Sequence, residues 1–356
     1  MNQSIRHFCL TATAACGLLL SSASAQTTAT TDPVGAMTVT VPSNSDAFIG
    51  IPFIRSTAFD GNVQSVSNNI VTVEGSILSQ LSNDPAFLLF KSGSLTGQWF
   101  SITSFTADTI VVAEDLQSLG ASVGDSFSIN YFWTLGDFFD GGSGFPVSSN
   151  ILSPQGSVSF KDLTSPGINR PISVEYIYYD GSAGGTAGWY DNNNLGSGLK
   201  DDTVISPETY MIIRNSSDSE VEIDLLGTVL TENFGMLVAA NSSGFQDNYL
   251  VNPFPVPLSL SASGLSNTVV RPSPNILAPV DRLFLYNPVG IGINRSISAE
   301  YFYYDGSMGG SAGWYDANDL GSGPQGEVEI PAASGFIVRK SASTSNVEHW
   351  IPSPPY

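Results

Sequence analysis

Apolar and polar residues alternate with period two along most of this chain, in short runs separated by Gly, Asn, Asp, Ser and Pro. Such alternation predicts half-buried β-strands. The runs Met37–Val41, Phe48–Ile54, Asn62–Val66, Ile70–Glu74, Phe87–Lys91, Gln98–Thr103, Thr109–Ala113 and Ser126–Phe132 all read as strands, with Ser67-Asn68-Asn69 as a hairpin turn. Only Glu114–Leu119 reads as helix, for about a turn. Evenly spaced short strands over the first part predict a small antiparallel barrel or sandwich.

The later pattern is duplicated. Asn169–Gly198 returns as Asn294–Gly323, an offset of 125 residues, with 23 of 30 positions identical. The ungapped alignment extends to Asn150–Arg214 against Asn275–Arg339, with 32 identities in 65 positions. In each block Ile172, Val174, Tyr176 and Tyr178 (Ile297, Ala299, Tyr301, Tyr303) alternate with Ser173, Glu175, Ile177 and Tyr179 (Ser298, Glu300, Phe302, Tyr304), which reads as a strand; a Gly-rich loop and Trp-Tyr-Asp follow. A weaker echo links Asp46–Phe53 (DAFIGIPF) to Asp247–Phe254 (DNYLVNPF). It suggests one lobe built twice, with residues 61–136 inserted into the first.

The expected architecture is all-β: an N-terminal barrel or sandwich over 36–136, then two duplicated sandwich-like lobes, 137–232 and 233–356. Residues 1–25 read as a signal peptide, with Arg6 and His7, an apolar Phe8–Leu20 and Ala23-Ser24-Ala25 as the cleavage site, and 26–35 as a flexible leader. Export is therefore expected, to the periplasm, cell surface or medium. A lipid anchor on Cys16 is disfavoured by the poor Thr13-Ala14-Ala15 context. Both cysteines, Cys9 and Cys16, lie in that peptide, so disulfide and thiol chemistry drop out of the remaining chain.

Charge narrows the partners. With 12 Lys+Arg against 32 Asp+Glu the net charge is −20, and removing Arg6 makes it −21. Nucleic acid and anionic membranes are excluded as partners. No apolar run is long enough for a spanning helix, and the three prolines of Asn346–Tyr356 argue against a closing strand of an outer-membrane barrel.

The runs NSDAFIGIPF, GQWFSI, VGDSFSIN and WTLGDFF, followed by the aromatic block and an IIR strand, resemble an uncharacterised family of secreted, many-paralogue proteins from Verrucomicrobia-like bacteria. The resemblance covers most of the chain. It implies export and brings no activity and no site residues.

Candidate chemistry is sparse. Asp191, Asn193 and Asp202, and again Asp316, Asn318 and Glu327, have the 1, 3, 12 spacing of a calcium loop with Gly at position 6. Position 5 is Leu in both copies, and Asx turns explain the same residues. Trp189-Tyr190 and Trp314-Tyr315 after their glycine loops suit sugar stacking, against the alternative that they are cross-strand packing anchors. Glu175 with Asp180, and Glu300 with Asp305, lie five residues apart and could serve a glycosidase reading, but two acids on one strand and its turn meet that spacing trivially, as many acids on a β-surface would. A lone His349 outside the leader, no G-x-S-x-G, a Ser197-x-x-Lys200 that the second copy lacks, and GFIVRKS without a P-loop glycine remove nucleophilic and nucleotide chemistry. The repeated Arg170, Arg214, Arg295 and Arg339 read as partners of acids such as Glu175 and Glu300, or as caps on carbonyls, with anion capture as the alternative. The expectation is a non-catalytic surface or matrix protein whose partners are envelope or matrix polysaccharide or protein. The alternative is a glycan-binding module on the Trp-Tyr loops, with calcium as the one cofactor to consider. Burial of both tryptophans would favour the first reading.

Overall fold

A computed structural model describes residues 32–344 and 347–356. The segment read as a signal peptide, its cysteines and the expected leader up to residue 31 lie outside the described residues. The chain is nearly all β, as the alternation predicts, and among the described residues no helix is long and apolar enough to cross a membrane.

Three β-units carry the fold. In lobe A the strand order is Gly188–Asp191, Ile172–Tyr179, Gly156–Lys161, Met211–Asn215 and Ser45–Ile49, all antiparallel. Lobe B repeats it as Gly313–Asp316, Ala299–Tyr304, Arg282–Leu285, Gly335–Lys340 and Gln246–Val251. The edge strands Ser45–Ile49 and Gln246–Val251 are the two halves of the Asp46/Asp247 echo. In both sheets that aspartate sits opposite the arginine closing the Ile-x-Arg strand, Asp46↔Arg214 and Asp247↔Arg339.

The third unit is a closed six-stranded barrel: Thr57–Ser67, Ile70–Val73, Thr109–Val112, Trp99–Phe105, Ala86–Phe90 and Ser126–Tyr131. Asn68 turns the predicted hairpin with φ +53°, and the short helix is Leu116–Leu119. The barrel therefore starts at Thr57 rather than at residue 36. Val34–Val41 pairs instead with Val221–Val229 over eight residues, beside Phe53–Ile54. Local alternation marked this strand correctly, but its partner lies some 190 residues downstream, beyond any local signal.

Burial follows the pleat. In Ala86–Phe90 (AFLLF) all five residues are buried, because the strand has an interior on each side. Leu88 and Phe90 belong to the barrel core, while Phe87 and Leu89 join the large core of lobe B. Trp99 stacks on Phe234 across that junction, with ring centroids 6.5 Å apart. Barrel and lobe B thus share apolar packing.

Candidate binding cleft

The repeated aromatics are core. Trp189 is fully buried among Phe139, Phe145 and Tyr178, and Trp314 is 1% exposed beside Tyr303. Tyr315 is buried and Tyr190 half-buried; their hydroxyls close the glycine loops by donating to Ser311 O and Thr186 O, each at 2.8 Å. Sugar stacking needs an open ring face, which neither tryptophan offers. Both indole N–H groups are buried without an acceptor, the same cost in both copies.

The calcium-spaced residues are turns. Asp191 Oδ1 accepts the Asn193 N–H at 2.9 Å and Asp316 Oδ1 accepts that of Asn318 at 2.8 Å. Asp202 and Glu327 are exposed, and among the described residues no three His, Cys, Asp or Glu converge. Asp180 and Asp305 likewise cap Ser182 and Ser307, whose hydrogen bonds hold both carboxyls below their ordinary range. Glu175 accepts from Ser157 Oγ and Asn192 Nδ2 while Asp180 accepts from Ser182, so the two carboxylates sit in separate local networks.

What the duplication builds is a reciprocal clasp between the lobes. Asp46 takes Arg214 Nε at 2.8 Å and Nη2 at 3.0 Å, and also the backbone N–H of Asn294, from lobe B, at 2.7 Å. Asp247 takes Arg339 Nε at 2.6 Å and Nη2 at 3.0 Å, and the N–H of Asn169, from lobe A, at 2.8 Å. Each lobe thus lends the other one loop, closed by Gly292 O to the Asp46 N–H and Gly167 O to the Asp247 N–H, both 3.0 Å. Asn169 and Asn294 make the turn with φ of +50° and +54°, a conformation asparagine tolerates better than most residues. The arginines therefore pair with Asp46 and Asp247, not with Glu175 and Glu300. Arg170 and Arg295 cap carbonyls, Leu163 O and Ser165 O for the first, Asp46 O and Asn287 O for the second.

The two copies diverge where strand Gly156–Lys161 of lobe A corresponds to Arg282–Leu285 of lobe B. In lobe B, Arg282 pairs with Glu300 at 2.7 Å and Phe284 lies under Arg339, 4.8 Å from guanidinium carbon to ring centroid. The lobe A positions, 125 residues earlier, are Ser157 and Ser159. With two small side chains there, a polar cleft of about 530 Å³ opens over sheet A. Its floor includes Ser159, Lys161, Glu175 and Arg214, and its far wall Tyr286 and Arg295 from the clasp loop of lobe B. Tyr286 is stacked on Phe48 at 3.8 Å.

The electrostatics of this cleft are lopsided. Its acceptors are occupied: Asp46 by the clasp, Glu175 by Ser157 Oγ at 2.6 Å and Asn192 Nδ2 at 2.7 Å. Its donors are not. Lys161 has no carboxylate within 4.0 Å among the described residues; it donates to Arg170 O and lies 5.3 Å above the Tyr249 ring. Burial pushes the Lys161 ammonium down, while nearby Asp247 pulls it up. Among the described residues Arg295 also has no carboxylate within ion-pair distance; it donates to Asp46 O and Asn287 O, and burial lowers it too.

A second groove, about 310 Å³, runs between the barrel and the pair Met236–Ala239/Val347–Trp350, lined by Trp99, Phe100, Met236, Glu208 and His349. Burial pushes the Glu208 carboxyl up to about 7, against a hydrogen bond from the Leu237 backbone, and pushes His349 down. Nothing in the SPETY segment signals Glu208. The cleft residues Ser157 and Ser159, by contrast, fall in the stretch 155–166 where the two copies share no residue, a divergence readable in the alignment with Arg282 and Phe284.

No protein-family model, curated protein or solved structure matches this chain.

Proposed function

We propose that this is a non-catalytic surface or matrix protein that holds an acidic glycan segment in the lobe A cleft. One observation carries the reading: the cleft's acceptors are spent on internal donors, while Lys161 and Arg295 keep charge and N–H groups without a carboxylate partner. An ammonium carries three donors and a guanidinium five, so each has bonds left to give. Carboxylate or sulfate groups on a sugar match such donors, and hydroxyls match the exposed amides of Asn193 and Asn294 on the rim. The volume lies within the range of sites that take small organic ligands.

Lining charges of Lys161, Arg214 and Arg295 against Asp46 and Glu175 leave the cleft at +1, inside a chain of −20. The long-range field repels an anion that the local field attracts. Moderate salt, which screens the first more than the second, should therefore leave binding intact or improve it.

Calorimetric titration with an oligogalacturonate and with a neutral oligosaccharide of equal length tests the reading. Binding of the acidic chain alone supports it. Equal binding of both, or of neither, refutes it.

A further inference from the structure

Lobe B contains a charged cluster that the cleft does not use. Asp281 and Lys340 are 0% and 1% exposed, behind a core that includes Val270, Leu283, Val338 and Trp350. Lys340 Nζ stands 3.0 Å from Asp281 Oδ2 and 3.0 Å from Glu348 Oε2, and also donates to Val269 O. The Asp281 carboxyl is fixed from its other sides by the backbone N–H groups of Arg271 (2.9 Å) and Ser341 (2.8 Å) and by Arg271 Nη2 (3.1 Å).

Lobe A shows that the fold has no need of this cluster. At the offset of 125, Gly156 stands for Asp281, Asn215 for Lys340 and Pro146 for Arg271. There Gly156 lies so close to Pro146 that a β-carbon would come within 2.6 Å of it. Asn215 satisfies three backbone carbonyls instead, those of Val41, Pro42 and Ser219. Burying the two charges of Asp281 and Lys340 where an uncharged junction suffices carries a desolvation cost. A nucleophile, an acyl carbon and a second carboxylate are then held together in a closed site, in a chain whose described residues contain no cysteine.

We propose that Asp281 and Lys340 join in an intramolecular isopeptide bond, with Glu348 as the proton relay. Glu348 takes a proton from the Lys340 ammonium, and the freed amine attacks Asp281 Cγ. The C–N bond forms as one C–O bond breaks. Of the three Nζ protons one stays on the amide, and two leave with the departing oxygen as water, so ammonium plus carboxylate gives amide plus water with no other reactant. The N–H groups of Arg271 and Ser341 and the Arg271 guanidinium hold the charge that develops on the carboxyl oxygen. They also act before the reaction: although burial pushes the Asp281 carboxyl up, these bonds hold it below its ordinary range. The bond accumulates because the expelled water leaves a closed site past the partly exposed Glu348.

Intact-mass measurement of the purified chain, before and after prolonged incubation at neutral pH, tests this directly. The expected mass is short by one water, and proteolysis yields a branched peptide joining Asp281 to Lys340. Folded Glu348→Gln is expected at full mass. A native chain at full mass after incubation overturns the proposal. So does a water loss that maps to succinimide at an Asp-Gly step such as Asp180-Gly181, or a Glu348→Gln chain that is cross-linked as fully as the native one.

Discussion

Replacing Asp247 by alanine tests the clasp. The carboxylate is 0% exposed and receives three bonds: two from Arg339, whose side chain is 20% exposed, and one from the Asn169 N–H of the other lobe. Breaking a buried pair from one side costs about 3–5 kcal/mol, because the surviving charge stays desolvated. Arg339 keeps the Phe284 ring and some solvent, which places its share at the lower end. The orphaned Asn169 N–H adds about 1–3 kcal/mol. The two overlap, so Asp247→Ala should cost about 3–5 kcal/mol in all. Asp46→Ala should cost the same within about 1 kcal/mol, since its three bonds match in kind and length. Urea unfolding followed by tryptophan fluorescence measures both. Asp224→Ala, which removes one exposed bond to Thr38, is the control and should stay within about 0.5 kcal/mol of the native chain. A loss below about 1 kcal/mol for either buried aspartate would refute the view that the clasp holds the lobes together.

Other expectations follow from single residues. Glu208 has a folded pKa of about 7 against an unfolded 4.5, so between those values the folded state binds the extra proton. Its stabilising contribution is present below pH 4.5 and lost as pH rises through 7; Glu208→Gln should gain about 1–3 kcal/mol at pH 8 and little at pH 4.5, read by thermal melts at both. Trp189→Ala should cost about 3–5 kcal/mol as a core cavity. Trp189→Phe, which also removes a buried N–H without an acceptor, should cost under about 1.5 kcal/mol by urea unfolding. An amide between residues 281 and 340 closes a loop of about 60 residues, so its absence in Glu348→Gln should lower stability by about 4 kcal/mol by the chain-entropy estimate, checked by the same unfolding experiment.

Most strands were legible because they depend on local alternation: Thr109–Val112 and Ser126–Tyr131 fall within a residue or two of where the pattern places them, whereas the run Phe48–Ile54 is split between Ser45–Ile49 and Phe53–Ile54 in two different sheets. The second lobe was legible because duplication prints its core twice. Pairing was not. Val34–Val41 finds Val221–Val229, and Asp46 finds Arg214, over distances that no window spans. Of the two roles the sequence offers the repeated arginines, capping carbonyls holds for Arg170 and Arg295, whereas Arg214 and Arg339 pair not with Glu175 and Glu300, near in sequence, but with the aspartates of the DAFIGIPF/DNYLVNPF echo. The Trp-Tyr pairs look equally suited to core and to ligand, since large rings serve both. Burial decided between the two, and burial is a property of the assembled lobe. The cleft itself was written as a difference between copies, Ser157 and Ser159 against Arg282 and Phe284, and identity rather than difference drew attention first.

That difference supplies the most direct measurement. Ser157→Arg with Ser159→Phe gives lobe A the side chains that fill the same space in lobe B, where they pack against Glu300 and Arg339. Oligogalacturonate affinity and urea stability of the double variant are measured beside the native chain. Binding reduced at least about tenfold, with stability within about 1 kcal/mol, is the predicted result. Undiminished binding by a folded double variant would contradict the cleft as the site.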